Sequence, residues 1–380
     1  MGEILRNKLI GEKSDLCFAK SVELLEKAST PNGFFAAFPG YDAVWARDSM
    51  IISLGSSLLG ADFRETFKNS LITLAKHQSE KGQIPNAVDI FSKDRKAHVD
   101  FKSIDSSLWF IIGCYVFKER YRDLSLFEKL EGNIKKALVW LSYQDMGEDG
   151  LLEQLPTTDW QDAFPHRYGH TINTQALYYK VLIITGKTKE AEALRRKVNE
   201  DKDDCLLWNG NYYYAYRWKN HNKYREIGEW FDSLGNLLAI LFGLADELKA
   251  KKIISYIKKN KIDFPFPVKA IYPPIKQGTK EWKDYFKDSD AGKPFSYLNG
   301  GVWPYIGSFY VLSLIKLKMF KEAKEQLEKV AEANLLMNEN FSEWIHGKTG
   351  KPSIGGGQGW NAGTYILAYE SLKNKRVLLI

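Results

Sequence analysis

The feature that most constrains the fold is an alternation of short and long connections between helical segments. Apolar residues recur at spacings of three and four, the period of an amphipathic helix, in many segments of the chain. We predict twelve helices, over 4–28, 46–60, 63–78, 105–120, 125–144, 171–185, 188–200, 233–243, 246–260, 303–317, 319–337 and 359–374. A few residues follow each even-numbered helix except the last, whereas roughly 17 to 40 residues precede each even-numbered helix. Because short connections force antiparallel neighbours, every long loop should lie at one end of the assembly.

Six helix pairs of this kind predict an all-α fold, an (α/α)6 barrel with inner and outer helices. An open α-solenoid is the structural alternative, but solenoids show a repeat period in sequence and this chain shows none. Residues 205–217, centred on Asn209 and Gly210, predict a small β-hairpin insertion. We expect one catalytic domain over residues 1–380.

Composition excludes several classes of protein. The formal net charge of +7 comes largely from lysines on amphipathic segments such as 251–261, which is typical of solvated helix faces and not of a nucleic-acid site. The three cysteines, Cys17, Cys114 and Cys205, form neither a disulfide framework nor a zinc pattern. Residues 1–13 lack the apolar core of a signal peptide, and no apolar run approaches the roughly 20 residues of a membrane span. We expect a cytoplasmic protein without membrane or nucleic-acid partners, of undetermined oligomeric state.

The predicted long loops hold most of the tryptophans and many carboxylates and amides. Flat pyranose faces stack on tryptophan, and hydroxyl groups need partners such as Asp, Arg, Asn and Gln. The candidate sugar contacts are Trp45, Arg47, Asp48, Gln83, Asp105, Trp109, Asp159, Trp160, Arg167, Gln175, Trp230, Asn299, Trp303, Gln358 and Trp360. Cleavage of a glycosidic bond needs two further carboxyl groups, and composition alone does not choose them.

Each candidate also has a plainer interpretation. A tryptophan in a loop is usually a packing residue, and Asp105 and Asp232 stand where helix N-caps belong. His166 and His170 resemble metal ligands, but no Cys or third His lies near them in sequence, so we expect no metal. No Walker A, HExxH, GxSxG or dinucleotide-binding pattern is present, and we expect no cofactor. Recurrence of the same residue types on six loops at one end favours a sugar site.

Five segments in chain order resemble motifs of the six-hairpin glycosidases, most closely the amylo-α-1,6-glucosidase (glycogen-debranching) and neutral/alkaline invertase groups. They are WARD at 45–48, DSSLW at 105–109, WQDA at 160–163 with NTQALYY at 173–179, SEWIHG at 342–347 and GQGWNA at 357–362. The resemblance covers nearly the whole chain. It implies an (α/α)6 barrel that cleaves an α-glucosidic or similar bond in a small oligosaccharide or glycoside.

The resemblance also implies the catalytic pair. The residue matching the family's general acid is Asp162, and the residue matching its general base is Glu343, which activates water with inversion at the anomeric carbon. Asp159 competes for the acid role. Asn173 falls in a segment that loses a family glutamate, and His346 replaces a family acid. The identity of the sugar therefore stays open.

Two other functions compete with hydrolysis. A sugar epimerase on the same barrel would use histidines as proton shuttles, which gives weight to His166, His170 and His346. A non-catalytic sugar-binding barrel is the second alternative. A phosphorylase would need an anion site where the base stands, and Glu343 argues against one.

Overall fold

The twelve predicted helices are all present. The structure is a computed structural model that describes residues 10–94, 96–200, 206–220, 223–288 and 292–379. Residues 4–9 of the first predicted helix, and Cys205, lie outside the described residues. The helices are α1 Glu12–Ala28, α2 Ala46–Ser56, α3 Arg64–Lys76, α4 Asp105–Tyr121, α5 Leu124–Ser142, α6 Ile172–Ile184, α7 Thr188–Asn199, α8 Ser233–Phe242, α9 Glu247–Lys259, α10 Pro304–Lys316, α11 Phe320–Glu339 and α12 Gly359–Lys373.

The predicted alternation of loop lengths is confirmed, because long segments precede every even-numbered helix. These segments are 29–45, 77–104, 143–171, 200–232, 260–303 and 340–358. Capping groups define several of the short connections. Asp123 caps α5 by accepting from the Leu126 backbone N–H at 3.1 Å, and Asp246 caps α9 by accepting from Lys249 N–H at 2.8 Å. Gly243 ends α8 with a φ of 86°, which favours glycine.

The helices divide into buried and amphipathic sets. In α10 every residue from Pro304 to Ile315 is buried. By contrast, α5 buries Leu126, Leu130, Ile134, Ala137 and Leu141, whose spacings of three and four trace one face of the helix. In the part of the chain that the structure describes, no helix has both the length and the apolar character needed to cross a membrane.

The even-numbered helices pack against one another in a cyclic order. Helix α2 contacts α4, α4 contacts α6, α6 contacts α8, α8 contacts α10, α10 contacts α12, and α12 contacts α2. Each odd-numbered helix packs on this set from outside. For example, α5 contacts α4, α7 contacts α6, and α1 contacts α12. The sequence order of the helices is therefore also their order in space.

Short strands occupy the long loops. They are β1 Ser29–Thr30, β2 Gly33–Phe34, β3 Val44–Trp45, β4 Ala87–Asp89, β5 His98–Asp100, β6 His170–Thr171, β7 Tyr214–Asn220, β8 Lys223–Asp232 and β9 Ile271–Tyr272. They form three antiparallel sheets, ordered β1-β2, β3-β4-β5 and β6-β7-β8-β9. The chain is therefore mainly helical, with small sheets at the end where the even-numbered helices begin.

The small β-hairpin predicted around Asn209 and Gly210 is present, with Trp208 paired antiparallel to Tyr213. A tight turn occurs at the predicted centre, where Asn209 N–H donates to Tyr212 O at 3.0 Å and Gly210 has a φ of 100°. A longer antiparallel pair that was not predicted, β7 with β8, follows it in the chain. Charged residues such as Arg217 and Glu226 interrupt the apolar pattern of these two strands, so residues 214–232 did not resemble a hairpin in sequence.

Glycines allow the first and last buried helices to touch through their backbones. A Cβ added to Gly55 on α2 would lie 1.8 Å from the backbone oxygen of Gly363 on α12. A Cβ on Gly363 would lie 2.6 Å from the Ile52 Cα. Neither helix can move away freely, because both are buried on all sides.

This contact predicts that Gly363→Ala lowers the free energy of unfolding by about 1–3 kcal/mol through overpacking. The matched control is Gly132→Ala on α5, where an added Cβ would meet nothing within 4 Å. That variant should raise the free energy of unfolding by roughly 0.5–1 kcal/mol, because alanine favours the helix. Urea unfolding followed by circular dichroism measures both, and equal effects of the two substitutions would contradict the close packing.

Candidate active site

A cleft lies at the end of the molecule where the even-numbered helices begin. Its lining includes nine of the residues predicted from sequence, together with three that were not. The lining residues are Ala36, Tyr41, Trp45, Arg47, Asp48, Trp160, Asp162, Tyr297, Trp303, Glu343, Gln358 and Trp360.

Many of these lining residues lie at the N-terminal ends of helices. Trp45 immediately precedes α2, Trp303 precedes α10 and Gln358 precedes α12. Arg47 and Asp48 lie in the first turn of α2. A helix N-terminus holds an acidic group favourably, so the position of Asp48 suits a carboxylate.

An ion pair joins the starts of two neighbouring buried helices. Arg47 Nη1 lies 3.2 Å from Asp105 Oδ2, and both side chains are almost fully buried. The Ser103 hydroxyl also donates to Asp105. Asp105 therefore does not act as the N-cap of α4, because it is the first helical residue and its carboxylate forms an ion pair with Arg47. Arg47 Nε lies 3.7 Å from Asp48 Oδ2, so the guanidinium is placed between two aspartates.

The two predicted catalytic carboxyl groups come from different loops and meet in the same cleft. Asp162 lies in the segment between α5 and α6, and Glu343 lies in the segment before α12. The Tyr41 hydroxyl donates to Glu343 Oε1 across 3.5 Å. Glu343 N–H donates to Gly355 O at 3.2 Å, which fixes the backbone at this point.

Burial and mutual repulsion raise the pKa values of three carboxyl groups in the cleft. Desolvation, followed by the charges of Asp162 and Asp48, raises the pKa of Glu343 to about 7. Desolvation also raises the pKa of Asp48 to about 6, against the opposing effect of Arg47. The Asp162 side chain opens to solvent through the cleft, yet protein surrounds it closely enough that desolvation raises its pKa as well, again opposed by Arg47. The cleft therefore retains protons at pH values where free carboxyl groups have lost them.

Aromatic rings form the wall of the cleft. Trp303 contacts Trp160 and Trp360, with ring centroids 5.8 Å apart in each pair, and Tyr305 stacks on Trp360 at 4.3 Å. The indole N–H groups of Trp45, Trp160 and Trp360 are buried and have no hydrogen-bond partner among the residues that the structure describes, and the same is true of Asp48 Oδ2. Buried donors and acceptors normally have partners, so these atoms are suited to binding the hydroxyl groups of a ligand.

Asp159 is placed differently from Asp162, although only three residues separate them. Its side chain is fully buried, and its Oδ2 lies 2.6 Å from Arg167 Nη2. It is absent from the cleft lining. Arg167 also forms an ion pair with Asp232, which caps α8 as predicted by accepting from Gly235 N–H.

Three predicted amide side chains lie outside the cleft lining and instead hold backbone segments in place. Gln175 donates to Leu152 O at 2.6 Å and accepts from Leu152 N–H. Asn299 accepts from Ile275 N–H at 2.7 Å and donates to Ile275 O at 2.8 Å. Gln83 donates to Phe101 O. Long loops contain many backbone groups that need partners, and glutamine and asparagine supply them.

Two predicted aromatic contacts are also packing residues. Trp109 on α4 is 1% exposed and belongs to the main hydrophobic core. Trp230 on β8 is buried in a smaller cluster with Phe164, Tyr216 and Phe286. Both lie outside the cleft lining.

The three candidate histidines do not line the cleft. His170 lies 3.5 Å from Glu153 Oε1, and His166 packs on Tyr285. The Nδ1 atom of His346 accepts from Thr349 N–H at 3.1 Å within its own loop. Among the described residues, no group of three or more His, Cys, Asp and Glu side chains could hold a metal ion.

Sequence reasoning missed Ala36, Tyr41 and Tyr297 as lining residues. Tyr41 stands four residues before Trp45, and their rings meet edge to face at 6.0 Å. Tyr297 likewise stands six residues before Trp303 on another loop, and the centroids of their rings lie 5.3 Å apart. Proximity in sequence to a tryptophan of the cleft was the available signal for both.

Sequence comparison connects the chain with plant invertases. The family model described as alkaline and neutral invertase matches residues 221–375. Neutral/alkaline invertase 1, mitochondrial, of Oryza sativa subsp. japonica is 25% identical over 300 residues, which cover 65% of this chain and 47% of the relative. Alkaline/neutral invertase C, mitochondrial, of Arabidopsis thaliana is 23% identical over 300 residues, covering 65% and 44%. The chain thus spans just under half the length of these relatives.

Structural comparison shows that solved glycosidases share the fold of this chain. A GH63 mannosylglycerate hydrolase from Thermus thermophilus, in complex with Tris and D-glycerate, aligns with a TM-score of 0.65 at 14% identity, covering 92% of this chain and 99% of that one. A complex of the same hydrolase with glucose aligns with a TM-score of 0.62 at 16% identity, over the same shares of the two chains. A wild-type glycosidase aligns with a TM-score of 0.67 at 14% identity, covering 95% and 97%. The resemblance to six-hairpin glycosidases is confirmed.

The raised pKa of Glu343 predicts that its carboxylate destabilises the folded protein at alkaline pH. Between the ordinary value of 4.5 and about 7, the folded state keeps a proton that the unfolded chain has lost. Stability attributable to this group therefore falls as pH rises through that window. Glu343→Gln should raise the melting temperature by a few degrees at pH 8 and leave it nearly unchanged at pH 4.5.

Differential scanning fluorimetry at both pH values tests this expectation. The matched control is Glu325→Gln, which changes an exposed carboxyl on α11. It should show no gain at pH 8 relative to pH 4.5. A Glu343→Gln variant whose melting temperature follows the wild type at both pH values would show that the cleft does not oppose ionisation of this carboxyl.

Proposed function

We propose that the chain is an inverting glycoside hydrolase that cleaves an α-glucosidic or similar bond in a small oligosaccharide or glycoside. Asp162 is the general acid and Glu343 the general base. The observation that carries the proposal is that both carboxyl groups line one tryptophan-walled cleft and both have raised pKa values. The names of the relatives and structural neighbours, invertases and glycosidases among them, support this class of reaction.

The reaction needs two proton transfers on opposite faces of the sugar. Asp162 donates its proton to the glycosidic oxygen as the bond from that oxygen to the anomeric carbon breaks. Glu343 removes a proton from a water molecule whose oxygen attacks the same carbon from the other face, which inverts its configuration. General acid and base groups of this kind each contribute about 10²–10⁴-fold to the rate.

Retention of protons in the cleft supports acid catalysis near neutral pH. It does not by itself divide the two roles, because the pKa of Glu343 is also raised, to about 7. The division follows the motif resemblance, in which Asp162 stands in WQDA and Glu343 in SEWIHG. Asp159 is a poor acid candidate, because its carboxylate is engaged by Arg167 away from the cleft.

The sugar site comprises the predicted contacts that line the cleft. Arg47, Asp48 and Gln358 supply polar groups, and Trp45, Trp160, Trp303 and Trp360 supply rings and indole donors. Asp105 acts through Arg47, which it holds in a buried ion pair. The glucose named in one neighbour's complex supports a hexose as the bound unit, and sucrose is the natural first substrate given the invertase relatives.

The helices form a closed (α/α)6 barrel in this proposal, and the chain forms one catalytic domain. Support comes from the cyclic packing order of the even-numbered helices, with α12 against α2. The main hydrophobic core draws residues from Ile10 to Tyr369, which supports one domain. The cytoplasmic location stays a prediction, and the relatives are named as mitochondrial or chloroplastic.

An epimerase has weaker support than the proposed hydrolase. His166, His170 and His346 lie outside the cleft lining, so they cannot act as a proton-shuttling pair on a sugar bound there. A non-catalytic sugar-binding barrel would not need two carboxyl groups with raised pKa values facing one ligand.

Two substrates with different leaving groups test the acid and base roles. Sucrose releases a sugar oxygen that must be protonated, whereas α-D-glucosyl fluoride releases a fluoride ion that needs no proton. Asp162→Asn should lower kcat on sucrose by about 10²–10⁴-fold and leave hydrolysis of the fluoride within a few-fold of wild type. Glu343→Gln should lose activity on both substrates, because each reaction needs an activated water.

The measurements are initial rates and the anomer first released, followed by proton NMR. The wild type should release β-glucose from both α-linked substrates. The opposite pattern, with Glu343→Gln active on the fluoride and Asp162→Asn inactive, would exchange the two roles. Release of α-glucose first would overturn inversion, and wild-type turnover of sucrose by either variant would overturn the assignment of that residue. A wild type inactive on both substrates would overturn the α-glucosyl specificity.

A further inference from the structure

The loop that carries Asp162 contains an arginine that is not among the residues lining the cleft. The Arg167 side chain is fully buried, with Nη2 2.6 Å from Asp159 Oδ2 and Nη1 bonded to Asp232 Oδ2. Both aspartate side chains are also fully buried. Arg167 was predicted as a sugar contact from its place in a long loop, but its guanidinium faces two carboxylates inside the protein.

The loop itself is closed at its base. Gln154 and Gly169 exchange backbone hydrogen bonds, N–H to O, at 3.0 and 2.9 Å. Gly169 has a φ of 69°, and an added Cβ would lie 2.7 Å from Arg217 O, so the closure requires glycine here. Residues 155–168 therefore form a loop whose two ends are held together while its middle reaches the cleft.

Arg167 links the end of this loop to its middle. Asp159 Oδ1 accepts from Gln161 N–H at 3.0 Å, so the same carboxylate that binds Arg167 also shapes the turn leading to Asp162. The guanidinium lies 6.0 Å from the ring of Trp160, which is part of the cleft wall. A movement of Arg167 would therefore act on both sides of the turn that carries Asp162.

The second carboxylate fixes this loop to the helical body. Asp232 caps α8, accepting from Gly235 N–H at 3.4 Å, and it is the last residue of β8. Helix α8 is buried along its length and packs against α6 and α10. Through Asp232 the loop is anchored to an element that has little freedom to move.

We propose that Arg167 is a positioning residue for the general acid, holding the turn at residues 159–162 against the start of α8 so that Asp162 faces the glycosidic oxygen. The inference rests on the proposed function of Asp162. A guanidinium suits the task because its planar fork binds two carboxylates in fixed directions, which a lysine ammonium does not do. The role is distinct from sugar binding and from proton transfer.

The test compares Arg167→Lys with wild type on sucrose and on α-D-glucosyl fluoride. The lysine keeps the charge but loses the fork, so Asp162 loses its alignment with the leaving oxygen. Expected is a loss of about 10-fold to 10²-fold in kcat on sucrose, with kcat on the fluoride within about 3-fold and KM nearly unchanged on both. A purely structural role for Arg167 would lower both reactions by the same factor.

The matched control is Arg64→Lys at the opposite end of the molecule. Arg64 Nη2 lies 2.7 Å from Asp123 Oδ2, and Asp123 caps α5 as Asp232 caps α8. This variant changes a partly exposed arginine that contacts a single helix-capping carboxylate far from the cleft. The ratio of sucrose to fluoride activity should stay at the wild-type value.

A second variant covers the case in which Arg167→Lys fails to fold. Asp232→Asn keeps a side-chain oxygen for Gly235 N–H, but it removes the charge and replaces the oxygen that accepts from Arg167 with an amide NH2 group. Its loss should be smaller, but again greater on sucrose than on the fluoride. Equal losses on both substrates in the folded variants would overturn the positioning role. If Asp162→Asn itself shows no preference for the fluoride, the proposed acid is wrong, and that outcome is distinct from a failure confined to Arg167 and Asp232.

Discussion

The contact between α2 and α12 is the constraint on which the cleft depends. It joins the first buried helix to the last, and glycine at Gly55 and Gly363 lets the two backbones touch. The segments that precede these helices are consequently neighbours, with Phe38 N–H bonded to Gly357 O and Gly359 N–H to Ala36 O. This proximity brings Tyr41 to Glu343 across 302 positions of sequence. A helical assembly open at this seam would separate Glu343 from Tyr41 and from the start of α2.

The arrangement of helix starts has an energetic consequence. Six buried helices begin at the same end, which concentrates N-terminal dipoles and polar side chains around one cleft. Asp48, Asp162 and Glu343 share that space, and desolvation and repulsion raise the pKa of each. The same desolvation and repulsion that retain these protons weaken the fold once the carboxyl groups ionise. The extensive buried core supplied by the other parts of the helices offsets this local penalty.

The sequence was sufficient for the helices and for the face that carries the cleft, but not for every side chain on it. Helix periodicity and loop length are local properties, so the bounds of α2, α4 and α8 could be predicted closely. An amide that binds a ligand and an amide that binds a neighbouring backbone look alike in sequence. Gln358 and Asn299 both lie in long loops with tryptophans nearby. Gln358 lines the cleft, whereas the amide of Asn299 forms hydrogen bonds with the backbone of Ile275 and Gly292.

The choice between Asp159 and Asp162 shows the same limit at closer range. When two carboxylates lie three residues apart on one loop, their sequence positions do not show which of them faces the cleft. The position of the nearest cation decides it. Arg167 lies eight residues after Asp159, and the closed base of the loop turns it back onto that residue. Buried beside a guanidinium, Asp159 is tied to the protein, whereas Asp162 opens to the cleft with Arg47 as the first opposing charge. The two aspartates therefore differ in role because of Arg167. It binds Asp159 inside the protein and leaves Asp162 in the cleft as the candidate acid.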